Sequence, residues 1–259
     1  MQLDIILRTH DRGSIHGRGV EFTKKQIVRR CYNSLLTAIK NVPDVNLVIV
    51  DDHSSEETLK LLGPKTLHLE DTGNNASMKK VFGIAADSKA DLVYVVEDDY
   101  LHYPYAISEA LDTFSYFQLM TNKEDIALSL VDCPSNYHNK SYIGTNNGKG
   151  RDGTMAMIVG GIKRAWRTDN HTGATVMTTP TVINKYWGAF DTFATNWPYD
   201  DESTTINKIW GTHVPLFAPV VPLSYHLGEP HPYFPWDDLW IKSHGWDLIN
   251  TNIEDMMGA

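Results

Sequence analysis

Leu92-Val93-Tyr94-Val95-Val96-Glu97-Asp98-Asp99-Tyr100 is the stretch on which the reading of this chain turns. Five apolar residues run straight into three consecutive carboxylates. A short unbroken apolar run is the pattern of a strand covered on both faces, as in a parallel sheet. The carboxyl ends of such strands are where open α/β sheets bind ligands. Three adjacent acids repel one another unless a cation compensates them, and a hard divalent ion with oxygen ligands is the expected partner. The segment therefore points to a strand that ends in a site for a metal-bridged phosphate.

Upstream, the same pattern recurs. Leu3 to Leu7 reads as a short strand that opens into Arg8-Thr9-His10-Asp11-Arg12. The Gly-rich stretch from Gly13 to Gly19 reads as a loop. Val28, Cys31, Leu35 and Ile39 have helical spacing, and Pro43 closes that helix. Leu47 to Val50 is a second buried strand, closed by Asp51-Asp52. Ser54 and Glu57 form the signature of a capping box for a helix running to about Leu62, before Gly63-Pro64. Thr66 to Leu69 is a short third strand, and Asn74 to Ala86 is a third helix. Strand and helix thus alternate over the first hundred residues, which predicts a wound, mostly parallel α/β sheet. Two of its strands hand over to acidic residues at one edge.

The second half is less regular. Pro104 suits the first turn of a helix reaching about Met120. Ile126 to Val131 and Ala174 to Thr178 read as strands, Thr154 to Val159 as an apolar run, and Pro180 opens a short helix ending at Gly188. Asp201 to Trp210 is expected to be helical. Asn136 to Gly153 reads as a long polar loop, a candidate lid. The Pro-, His- and aromatic-rich stretch from Val214 to Trp240 reads as an irregular wrapping segment. One domain is expected, with a binding half over about 1–100, a second half over about 101–230, and a tail over 231–259.

Composition narrows the function. The formal net charge is −9, which argues against nucleic acid as a partner and fits poorly with an anionic membrane. Two cysteines, Cys31 and Cys133, are too few for a disulfide framework. Met1-Gln2-Leu3-Asp4 enters a strand directly, without the pattern of a signal peptide, and no apolar stretch is long enough to span a bilayer. The expectation is a soluble, cytoplasmic protein. Trp166, Trp187, Trp197 and Trp236 are candidates for stacking on a ligand or for core packing.

The order of motifs resembles a known family. A strand ending in Thr9-His10-Asp11 is followed by Val48-Ile49-Val50-Asp51-Asp52-His53-Ser54-Ser55 and then by Glu97-Asp98-Asp99. Trp187-Gly188-Ala189-Phe190-Asp191 and Asp200-Asp201-Glu202 come later. From residue 3 to about 210 this looks like a GT-A-fold glycosyltransferase of the family-2 type. That fold has a Rossmann-like nucleotide-binding half and an acceptor-binding half in one domain.

The resemblance implies roles. Thr9 and Asp11 follow the first strand at the nucleotide, and Asp52 accepts a hydrogen bond from the base, with a UDP-sugar favoured. Asp98 lies near the ribose, with Glu97 sharing that end of the site. Asp99 holds Mn²⁺ or Mg²⁺ on the diphosphate, and a C-terminal histidine, His226, joins it. Lys79, with Lys80, is placed to face the phosphates. Asp201 is the general base, with Asp200 the next choice, which implies inversion at the anomeric carbon. The acceptor stays open among a glycan, a lipid-linked sugar and a protein. Two other readings are a sugar nucleotidylyltransferase and a nucleotide-binding module of the same fold without turnover.

Overall fold

The computed structural model describes residues 1–12, 22–131, 157–200 and 204–227. Its first half alternates as expected: β1 (Leu3–Thr9), α1 (Lys24–Ile39), β2 (Val45–Asp51), α2 (Glu56–Leu62), β3 (Leu67–His68), α3 (Asn74–Asp87) and β4 (Leu92–Glu97). After these come β5 (Tyr100–His102), α4 (Ala106–Thr121), β6 (Ala127–Leu128), β7 (Ile158–Gly160), β8 (Ala165–Asp169) and β9 (Val176–Thr178). The described chain ends with α5 (Pro180–Lys185), α6 (Trp187–Asn196), a 3-10 turn at Ile206–Lys208, β10 (Leu216–Pro219) and β11 (Ser224–His226).

Nine strands make one sheet in the order β3-β2-β1-β4-β9-β6-β10-β8-β7, and β11 pairs with β5 in a separate ribbon. β9 and β8 run against their neighbours, so seven of the nine strands point one way. Strands of the second half continue the sheet begun by the first. This is a single α/β layer system with a mostly parallel sheet.

The unbroken apolar run of β4 has a simple cause. Leu92, Tyr94 and Val96 point into one core, with Leu35 of α1 and Ile107, Ala110 and Phe114 of α4. Val93 and Val95 point into a second core on the other face, with Val81 and Phe82 of α3 and Phe190 and Phe193 of α6. Each fully buried aliphatic or aromatic side chain of this kind contributes about 1.5–3 kcal/mol. β1 is sandwiched in the same way, with Ile5 and Leu7 on one side and Ile6 on the other.

Several expectations are corrected. The capping box lies on α1, where Thr23 accepts from the Gln26 backbone N–H and the Gln26 side chain accepts from the Thr23 N–H. The Ser54–Glu57 pattern does not cap α2. Its N-cap is Ser55, whose N–H and hydroxyl both donate to Asp11, far away in sequence. The strand expected over 126–131 is only Ala127–Leu128, because Leu130 leaves the sheet to accept from Leu223 and Ser224 of the ribbon segment. α6 carries the helix past Gly188 to Asn196, and the 204–210 stretch forms a 3-10 turn in place of an α-helix. The segment from Val214 is not wholly irregular, since β10 lies in the main sheet and β11 in the ribbon. The polar loop expected over 136–153, the glycine-rich loop over 13–19, Trp236 and the tail lie outside the described residues.

Candidate functional site

The register of the parallel strands puts the candidate residues side by side. Arg8 of β1 faces Glu97 of β4, and Thr9 faces Asp51 of β2. The segments that follow, His10-Asp11, Asp52-His53 and Asp98-Asp99, therefore open at one sheet edge. α3 begins at the same edge, because Arg8 donates to the Asn74 carbonyl and side chain at its first turn.

Each of the three consecutive acids meets a different basic group. Glu97 pairs with Arg8. Asp98 is buried: its Oδ1 accepts from Lys24 Nζ at 2.5 Å, and its Oδ2 accepts from Thr9 Oγ1 at 3.1 Å and the His10 N–H at 2.8 Å. Asp99 is buried too, with His226 Nε2 at 3.4 Å from its Oδ2. The His226 ring stacks on Tyr100 with centroids 4.5 Å apart, and the Leu227 N–H donates to the Asp99 carbonyl. The ribbon of β5 and β11 pairs Tyr100 with His226 and so fixes this contact. At Glu97 and Asp98 the compensation expected of a bound cation is supplied by Arg8 and Lys24. Burial works against the Lys24 ammonium, but Asp98, and then Asp99 and Glu97, outweigh it and hold its pKa above the ordinary lysine value.

Asp11 and Asp52 are built into the loops. The Asp11 carboxylate accepts from the Ser55 N–H and hydroxyl and from Thr58 Oγ1 at 2.6 Å. Burial pushes its pKa up, but these bonds prevail and hold it below the ordinary carboxylate value. Asp11 thus anchors the start of α2, where a carboxylate is also favoured by the helix dipole. Asp52 accepts from the Gly73 N–H at 2.8 Å and contacts His53 Nδ1 at 3.0 Å. Gly73 has φ +106°, which a side chain would strain, and it leads into α3. A carboxylate has about four lone-pair directions, so Asp52 keeps acceptor capacity. Asp51 is fully buried and caps the turn through the Ser54 N–H.

The second acidic group comes close through α3. Asn75 Nδ2 donates to the Thr195 carbonyl at 2.8 Å and the Trp197 carbonyl at 3.0 Å. Its neighbour Asn74 carries the Arg8–Glu97 pair. The segment leading to Asp200 is therefore docked beside the acidic edge, and Asn196 Nδ2 holds Asp200 Oδ2 at 2.8 Å. Asp201 lies outside the described residues. Lys79 pairs with Asp191 of α6 at 2.8 Å and is exposed, so its ammonium is directed at α6. Among the candidate tryptophans, Trp166 is fully buried and Trp187 packs on the second core, as core packing requires.

Lys24 is the residue that the sequence reading missed. One signal was present: Lys24-Lys25 opens α1, where the helix dipole disfavours cations. Such a break in a local rule marks a position held by something else. Lys25 is met by Glu57 and Lys24 by Asp98. Among the described residues no group of three or more His, Cys, Asp or Glu side chains is arranged to hold a metal. No described helix is long and apolar enough to cross a membrane.

No protein-family model matches the chain, and no curated protein matches it. Solved structures do. S. aureus TarS 1-349 in complex with UDP is 13% identical with a TM-score of 0.45, covering 84% of this chain and 60% of that one. A 4-diphosphocytidyl-2C-methyl-D-erythritol synthase from Anaerococcus prevotii is 10% identical with a TM-score of 0.44, covering 95% of both chains. A protein from Desulfovibrio desulfuricans described as a nucleotide-diphospho-sugar transferase is 16% identical with a TM-score of 0.35, covering 49% of this chain and 58% of that one. The chain thus spans 60% of the length of the TarS fragment. Likenesses this distant assign no activity, and the functional reading rests on the residues at the sheet edge.

Proposed function

We propose that the chain is a glycosyltransferase that takes a sugar from a nucleoside diphosphate sugar, with a UDP-sugar favoured. The observation that carries this reading is the meeting of Thr9, Asp52, Asp98, Asp99 and His226 at the carboxyl edge of the parallel strands and the adjoining ribbon. Thr9 and Asp52 bound the nucleoside end, with Asp52 accepting from the base. Asp98 is committed to Lys24, Thr9 and His10, so its main work at the ribose end is to fix these groups.

The donor set fits a divalent ion in part. Asp99 Oδ2 and His226 Nε2, 3.4 Å apart, are two donors that one Mn²⁺ or Mg²⁺ can share. Asp99 and His226 would hold the ion, and its remaining positions would be open to the substrate and water. Bound there, the ion supplies charge neutralisation for the departing diphosphate. Lys24 and Arg8 keep Asp98 and Glu97 out of that sphere. On the acceptor side, Asp200 or Asp201 takes the proton of the attacking hydroxyl, and a base on that side implies inversion. The hydrogen bond from Asn196 Nδ2 to Asp200 Oδ2, which fixes one carboxylate oxygen, supports Asp200 in this role.

The test is a thermal-shift screen of nucleoside diphosphates with and without Mn²⁺, followed by an assay of UDP-sugar hydrolysis. A ligand at a hundredfold excess over its dissociation constant adds about 2.7 kcal/mol. For a chain of this size that raises Tm by roughly 5–10 °C. The expected result is a shift for one diphosphate that needs Mn²⁺ and disappears in Asp99→Asn. The absence of a shift with every nucleotide overturns the proposal. Release of pyrophosphate from a nucleoside triphosphate and a sugar phosphate would replace it with nucleotidyl transfer.

A further inference from the structure

His53 holds a backbone conformation that its residue type does not favour. Its φ is +59°, in the left-handed region, where glycine is unstrained and a Cβ raises the free energy. The turn around it imposes that conformation. The Asp52 N–H donates to the Thr9 carbonyl at 2.9 Å, and the Ser54 N–H donates to buried Asp51 at 3.1 Å. Ser54 Oγ accepts in turn from the Asp11 N–H at 3.1 Å. Packing gives no reason for an imidazole here. The His53 side chain is 39% exposed and belongs to none of the apolar clusters. The one polar partner of that side chain among the described residues is Asp52, with Nδ1 3.0 Å from Oδ1. A strained residue kept at a sheet edge for a single contact is a mark of function.

We infer that His53 is a positioning residue for the nucleobase: it pins the Asp52 carboxylate, and the pinned carboxylate selects uracil over cytosine. This rests on the reading of Asp52 as the group that meets the base. An ionised carboxylate only accepts, so the proton of the pair sits on His53 Nδ1. His53 then holds Oδ1, and the Gly73 N–H holds Oδ2 at 2.8 Å. Both oxygens are fixed, and each keeps a lone pair for a ligand. Uracil and cytosine are rings of one size that differ at this point. Uracil carries a donor at N3, where cytosine carries a lone pair. A fixed acceptor pairs with the first and faces the second without a hydrogen bond, which is the kind of contrast that discriminates strongly. The amino donor of cytosine lies one ring position away, so it meets fixed oxygens only if the whole nucleotide shifts. Without the imidazole, Oδ1 is free to swing toward that amino group, and the preference falls.

The experiment titrates UDP and CDP, each with Mn²⁺, into the full chain and into His53→Gly, His53→Ala and His53→Asn, by calorimetry. The parent is expected to bind UDP about tenfold or more tightly than CDP. His53→Gly and His53→Ala are expected to narrow that ratio by about tenfold, mainly through weaker UDP binding. His53→Asn restores it, because an amide N–H can take the place of Nδ1–H and asparagine tolerates a left-handed backbone. Urea unfolding without nucleotide separates positioning from folding. His53→Gly relieves the backbone strain and is expected to be about as stable as the parent, so a lost preference there is not lost structure. An unchanged UDP-to-CDP ratio in His53→Gly, or a parent that binds CDP as well as UDP, overturns the inference and leaves the transferase reading standing. A parent that binds neither pyrimidine diphosphate also overturns it. If that parent binds no nucleoside diphosphate at all, the transferase reading falls with it.

Discussion

Lys24→Met isolates the most buried charge contact at the sheet edge. The Lys24 and Asp98 side chains are 11% and 6% exposed, and Nζ lies 2.5 Å from Oδ1. Removing one partner of a buried pair costs about 3–5 kcal/mol, because the other charge is left in a poor medium. Thr9 and the His10 N–H go on donating to Asp98, which favours the lower end, about 3 kcal/mol. For a chain of this length, a loss of that size lowers Tm by roughly 6–12 °C. Urea unfolding followed by tryptophan fluorescence measures the free energy directly. Because the Lys24 pKa is raised in the folded state, its stabilisation is fully present below the ordinary lysine value near 10.4. It is lost as pH climbs through the raised value. The gap between parent and variant is therefore constant from pH 6 to 9, within roughly the experimental error. The double variant Lys24→Met with Asp98→Asn removes both charges and is expected to recover part of the loss. A loss below about 1 kcal/mol, or a double variant as unstable as the sum of the singles, refutes a stabilising Lys24–Asp98 pair.

Asp11→Asn removes the charged acceptor at the start of α2 and should cost about 1–3 kcal/mol at pH 7 in the same unfolding assay. The Asp11 pKa is lowered in the folded chain, so its contribution is present above the ordinary aspartate value and fades as pH falls through the lowered one. The difference between parent and variant should therefore shrink below about pH 4. His102 is fully enclosed against the Tyr94 hydroxyl, and burial pushes its pKa down to about 4. The unfolded chain takes up a proton near pH 6.5 while the folded chain does not, so stability should fall by about 3 kcal/mol between pH 6.5 and 4. His102→Gln is expected to flatten that slope in equilibrium unfolding across the range.

The parallel half of the fold was legible because burial on both faces writes itself into the sequence. β1, β2 and β4 are dense in apolar residues, and the helices between them keep a helical period. β8 and β11 were not, because Arg167 and Asp169 or Ser224 and His226 break any apolar pattern. In the structure Arg167 is buried by pairing with Asp169 at 2.6 Å, two residues on along the same face of β8, so charge takes the place of an apolar pattern there. β10 is short and ends in a proline. The acids of the site could be read because they sit directly after strands. Their partners could not: Lys24 meets Asp98 across a long intervening stretch, and Ser55 takes its cap from Asp11 and not from Glu57. Local spacing is blind to both, since only the stacking of α1 and α2 over the sheet edge creates them.

The ribbon of β5 and β11 has a consequence for how the site comes into being. Tyr100 and His226 are neighbours in space and separated by half of the chain. Closing so long a loop is entropically slow, and contacts of this kind tend to form late. On a ribosome, the residues from Leu3 to Glu97 emerge well before the histidine that completes the Asp99 pair. The strand–helix half can be in place while the Asp99–His226 contact is still unmade, so the diphosphate binding proposed above would lag behind compaction. In a refolding experiment, hydrogen-exchange protection of the β1, β2 and β4 amides should therefore run ahead of recovery of the nucleotide shift proposed above.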